Sequence, residues 1–205
     1  METSLIVALV SFGRNVVGLV TRPYETCRRI AEKAHPLELT YVGAVLMLYF
    51  IPASFVKVAG FRPFLLTRQF FVLVGAAVAT YCLAVAIFWG IGRLTGAHGT
   101  LRGFAVLWGY SLIPTAMWFF VTSVLYVLLP PPRTTSVQGV IFSVLFLVFS
   151  TTLFFWKMTI AYLSLRFGLR AGLGKILLVC LPAFPLLGLY SVGMYRLGIF
   201  RIPFL

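Results

Sequence analysis

The chain has 205 residues, 61% of them hydrophobic and only 10% charged, with a mean hydropathy of +1.03. A soluble domain carries about 25% charged residues, so this composition excludes a water-bathed globular fold and makes lipid the main solvent of the side chains. The net charge of +13 is scattered between apolar stretches, which argues against a nucleic-acid binder and assigns the charge to orientation and to anionic lipid headgroups.

Taken in order, residues 4–20 come first. Gly13, Arg14, Asn15 and Gly18 interrupt this apolar stretch, and it is too short to span. It has no positive leading segment and no clear cleavage site, so the expectation is an interfacial helix rather than a signal peptide. A second short helix begins around Thr21-Arg-Pro-Tyr-Glu and stops before Pro36. Glu25 suits its first turn, with Arg28 and Arg29 three and four residues on. This reads either as a basic amphipathic segment on the membrane or as a solvated connector. Cys27 lies among these basic residues, where acylation is an option.

Five apolar stretches follow, over residues 37–58, 70–91, 104–129, 137–163 and 173–197. Each meets the requirement of about 20 residues for a membrane helix. The expected fold is therefore all-α: a polytopic bundle of five transmembrane helices over residues 37–205, preceded by an interfacial amphipathic region over residues 1–36. Pro52, Pro114, Pro182 and Pro185 lie inside spans and predict bent helices. Pro130, Pro131 and Pro132 separate the third span from the fourth. Gly75 and Ala79 form a small-xxx-small pair that would let backbones approach.

Orientation follows from the basic residues on alternate sides. Arg14, Arg22, Arg28, Arg29, Lys33, Arg93, Arg102, Arg166, Arg170 and Lys175 fall on one side; Lys57, Arg62, Arg68, Arg133, Arg196 and Arg201 fall on the other. The positive-inside rule then places the N-terminus in the cytoplasm and the C-terminus outside. Lys57, and Lys157 beside Trp156, read as snorkelling residues at the interface.

Three constellations stand out. Arg93, His98 and Arg102 lie in one basic loop loosened by Gly96 and Gly99; Arg166, Arg170 and Lys175 lie in the next. Guanidinium groups grip phosphate bidentately, so these residues are candidates for a lipid headgroup or partner contact; the plain alternative is an ordinary topology-fixing loop. The third constellation is Trp108-Gly109-Tyr110-Ser111-Leu112-Ile113-Pro114. Tyr110 and Ser111 precede the proline and could bond the carbonyls it leaves free. That makes the stretch a packing hinge; the other reading is the lining of a substrate path. On the hinge reading, replacing Pro114 with Ala disturbs folding or packing.

All four acids, Glu2, Glu25, Glu32 and Glu38, precede Leu39. Proton relays in membranes use intramembrane Asp, Glu or His, and catalytic dyads need paired carboxylates. Cys27, Cys82 and Cys180 show no metal-type spacing. The sequence therefore predicts a non-enzyme with no cofactor and no metal site.

The run Gly96-Ala-His-Gly-Thr-Leu-Arg-Gly-Phe104, with the Trp108–Pro114 stretch after it, resembles the Yip1 family. Arg22-Pro-Tyr-Glu-Thr resembles the Pro-x-Glu-Thr lead-in of its compact prokaryotic members. The resemblance implies a five-helix membrane domain with a cytosolic N-terminus, in which Gly109, Tyr110, Ser111 and Pro114 form the motif that bends the third helix. Eukaryotic members act with small GTPases in vesicle traffic; the chain lacks their long N-terminal region and their Asp-Leu-Tyr-Gly-Pro motif, so the bacterial cell (inner) membrane is the expected location. The function expected is membrane or partner organisation through a packed bundle and a basic cytoplasmic face, with anionic lipids and a protein partner as contacts and homo-oligomerisation compatible. The alternative is a small transporter or lipid-handling protein, with a path around Tyr110, Pro114 and Pro182. An open polar cavity near Tyr110 distinguishes the two.

Overall fold

The computed structural model describes residues 2–33, 35–56, 68–128 and 137–198, and every regular element among them is helical. The Pro130–Pro132 turn, Lys57, Arg62, Arg133 and Arg201 lie outside the described residues. In chain order the helices are α1 (Glu2–Thr21), α2 (Pro23–Lys33), α3 (Glu38–Val56), α4 (Arg68–Leu94), α5 (Leu101–Tyr110), α6 (Leu112–Leu128), α7 (Val137–Leu163) and α8 (Leu173–Arg196). A π-helical turn, Ser164–Gly168, closes α7.

Among the described residues, four stretches are long and apolar enough to cross a membrane: Val74–Leu94, Leu101–Leu125, Val137–Gly168 and Leu173–Arg196. Pro182 and Pro185 lie inside α8, and Pro52 lies within α3. The stretch over residues 101–125 is broken at Ser111, whose amide donates to Trp108 and Gly109 carbonyls and ends α5. Pro114 sits in the first turn of α6, where no intrahelical donor is needed. The proline is thus accommodated by a fresh helix start rather than by a kink in a continuous helix. At the other end of α5, the Thr100 hydroxyl caps the helix by accepting from the Gly103 amide at 3.2 Å.

α5 is the wedge of the bundle. Phe104 joins a core with Ala84, Val85 and Phe88 of α4, Leu165, and Val179, Ala183 and Leu187 of α8. Val106, Leu107 and Tyr110 join a second core with Leu19 of α1, Cys27 and Ile30 of α2, Ile160 and Leu163. α1 and α2 are therefore docked onto the bundle and supply part of its core. Lipid offers apolar side chains as good a solvent as the protein does, so close packing rather than water expulsion holds such cores together.

Two sequence expectations about small residues fall differently in three dimensions. A Cβ on Gly75 would meet nothing within 4 Å, and Gly75 and Ala79 both face outward, so this pair mediates no close approach here. Gly99, by contrast, is buried, and a Cβ there would collide with the Gly168 carbonyl oxygen and the Leu169 backbone. Its amide donates to the Leu169 carbonyl at 3.0 Å. Gly99 thus locks the loop after α4 against the turn after α7 instead of loosening it.

Candidate functional site

A buried polar cluster joins α1, α2, α3 and α5. Glu38, in the first turn of α3, is 1% exposed. Its Oε1 accepts from the Ser11 hydroxyl at 2.9 Å and from the His35 amide at 3.4 Å. Its Oε2 accepts from Asn15 Nδ2 at 2.9 Å and from the Tyr110 hydroxyl. Asn15 Oδ1 in turn accepts from an Arg29 guanidinium nitrogen at 2.9 Å. A carboxylate with this many donors is stable away from water, and the Arg29 charge compensates it through the amide. Phe12 stacks on the Tyr110 ring at 5.7 Å.

Tyr110 is thus not bonded through its hydroxyl to a carbonyl freed by Pro114; it holds the carboxylate at the head of α3. Ser111 does bond a carbonyl, that of Trp108, at 2.7 Å. Gly109 is buried against Leu39. Glu38, Asn15, Ser11 and Arg29 are not among the site residues that the sequence suggested. One signal was present: Ser11 and Asn15 are spaced i, i+4 in a largely apolar helix, which puts two hydrogen-bonding groups on one face.

The candidate residues Arg93, His98, Arg102, Arg166, Arg170 and Lys175 lie at the end of the bundle where short connections join α4 to α5 and α7 to α8. A pocket of about 330 Å³ there is lined by Tyr24, Arg28, Glu32, Arg166, Phe167 and Arg170, among others. Arg166 comes from the π-helical turn, Arg170 from the bend before α8, and Arg28 from α2. Glu32, the lone acid of this wall, lies 3.5 Å from Arg28. Arg166 donates to the Tyr162 hydroxyl at 3.1 Å. Arg170 has φ +52°, a left-handed backbone that costs a non-glycine residue on the order of 1–2 kcal/mol. Such strain, like a π-turn, recurs where side chains must be aimed at a ligand.

The other candidates lie outside this pocket. Lys175 donates to the Gly96 carbonyl at 2.8 Å, Arg93 lies over the Trp89 ring at 5.2 Å, and His98 and Arg102 are exposed. The structure therefore joins Arg166 and Arg170 with Arg28, which the sequence places on the same side of the membrane but not among the candidate contact residues. Their meeting depends on α2 folding back onto the turn after α7.

A second, larger cavity of about 420 Å³ lies between α3, α4, the α5–α6 break, α7 and α8. Trp108, Gly109, Ser111 and Leu112 line it, while Tyr110, Pro114 and Pro182 do not. Its wall is apolar apart from Thr80, Tyr81, Ser111, Tyr162, Cys180 and Lys157. The Tyr81 hydroxyl is engaged with the Ala105 carbonyl at 2.6 Å, and Thr80 with the Ala76 carbonyl at 2.7 Å. Lys157 thus faces an internal cavity instead of only snorkelling at the surface. Cys27 is fully buried, and burial pushes its thiol up to about 12, which closes it to acylation in the folded protein.

Compared with known proteins, the chain matches no family model, no curated protein and no solved structure.

Proposed function

We propose that the chain is a non-catalytic integral membrane protein of Yip1 type that organises anionic lipid at a basic cytoplasmic face. In this reading α3 is a fifth span, the protein resides in the bacterial inner membrane, the N-terminus is cytoplasmic and the C-terminus is outside. The observation that carries it is the convergence of Arg28, Arg166 and Arg170 on one pocket whose single acid already faces Arg28. Guanidinium forks match the geometry of phosphate oxygens, and basic pockets between membrane helices suit lipid headgroups.

The test uses the purified protein in nanodiscs of phosphatidylglycerol or of phosphatidylcholine. Phosphatidylglycerol should raise the melting temperature of the native chain, and a variant with Arg28, Arg166 and Arg170 all changed to Gln should lose that increment. A native chain indifferent to headgroup charge would sink the reading. Labelling of a cysteine placed at residue 201 from the cytoplasmic side would overturn the orientation.

The second reading, lipid handling, is supported by the 420 Å³ cavity beside the helix break. Its apolar wall suits hydrocarbon, not a polar solute, so it favours lipid over transport of small hydrophilic molecules.

A further inference from the structure

Resting on that lipid-handling reading, we infer that the cavity between α3, α4, α7 and α8 is a binding site for a long-chain fatty acid, with Lys157 pairing its carboxylate. The volume of about 420 Å³ falls within the 300–1,000 Å³ usual for small-ligand sites. The wall is long as well as apolar. Ile176, Cys180, Phe184 and Leu187 line it along one face of α8, a rise of about 16 Å. An elongated hydrocarbon fits that shape.

The cavity is reached from the side. Met47, Val78, Met158 and Phe184 are exposed on the outer, lipid-facing surface, whereas Ala84, Phe88, Leu165 and Leu187 on the same wall are buried. A chain can therefore enter from the bilayer without crossing water.

Charge selects the head. Lys157 is the single charged residue of the wall. It lies six residues before the end of α7, about 9 Å along the helix from the basic end of the bundle. Its neighbour Trp156 donates to the Leu19 carbonyl at 3.2 Å, at the level of the docked α1. A carboxylate held there has its chain running inward along α8, with the charge at the level that an interfacial lysine normally reaches. A cation in such surroundings attracts an anion more strongly than in water. A single chain with a single negative charge satisfies both features.

Trp108, on the cavity wall, gives a direct reporter. The full-length protein in phosphatidylcholine nanodiscs is titrated with 9,10-dibromostearic acid, whose bromines quench nearby indole fluorescence. Saturable quenching is expected, lost in Trp108→Phe. The methyl ester of the same acid, and dibromostearoyl lysophosphatidylcholine, should bind at least tenfold more weakly. Lys157→Met should weaken the free acid tenfold or more and leave the ester unchanged; Lys157→Arg should restore the acid. Equal saturable binding of acid and ester would overturn the carboxylate pairing while sparing the lipid-handling reading. Quenching that never saturates with any of the three would overturn both. The acid-against-ester comparison on the native chain stands even where Lys157→Met does not fold.

Discussion

α5 and α7 are both apolar, yet they do opposite work. Half of the 18-residue apolar stretch at the heart of residues 101–125 is buried inside the protein; of the corresponding stretch within residues 137–168 only 6% is. α5 buries Gly103, Phe104, Val106, Leu107, Gly109 and Tyr110 and joins both cores through Phe104 and Leu107. α7 turns Val140, Ile141, Leu145, Leu147, Phe154 and Phe155 outward and buries Leu153, Ile160 and Leu163. Hydrophobicity alone does not distinguish a core helix from a lipid-facing one in a membrane, because both environments are apolar. α5 carries a side-chain cap, a glycine against a neighbouring side chain and a buried tyrosine bonded to another helix, at Thr100, Gly109 and Tyr110; on α7, Thr151, Thr152 and Thr159 bond back to their own helix, and Ser150 and Trp156 make the bonds to its neighbours.

Stability measurements on single variants can break or sharpen this contrast. The largest loss is expected where Tyr110 ties α5 to α3. Glu38→Ala leaves Ser11, Asn15 and Tyr110 without their shared acceptor and Arg29 without its counter-charge, for a cost of about 3–5 kcal/mol in denaturant unfolding in micelles. Gly99→Val comes next, because its side chain must displace the Gly168 carbonyl and part the two loops; about 3 kcal/mol is expected from the same assay. Leu107→Ala opens a void in the second core. The transfer part of the usual large-to-small cost falls away in lipid, leaving the cavity part, about 2 kcal/mol. Leu147→Ala, at a side chain 66% exposed on the outer face of α7, should change stability by less than about 0.5 kcal/mol. If Leu147→Ala cost as much as Leu107→Ala, the outer face of α7 would be packed against another protein surface, and the contrast would fail.

Much of the fold is legible in the sequence. Runs of about 20 apolar residues specify membrane-length helices because no other local structure satisfies the backbone in lipid, and α4, α7 and α8 begin and end near the expected positions. Pro23 and the residues before Pro36 mark the limits of α2 for local steric reasons. The basic end was also readable, since Arg166, Arg170 and Lys175 follow one apolar run and precede another.

The tertiary structure alone decided which residues meet. Glu38 reads in sequence only as the last acid of the chain, at the head of the first apolar stretch; the docking of α1 against the head of α3, with Tyr110 of α5 beside it, makes it the centre of a buried cluster. Arg28 and Arg166 are separated by most of the chain, and Lys157 reads as a surface residue until five elements enclose a cavity in front of it. Span length and helix ends follow from the chemistry of one segment in its solvent. Partnership across segments depends on how helices rotate and dock, which many weak contacts set together, so no single segment encodes it.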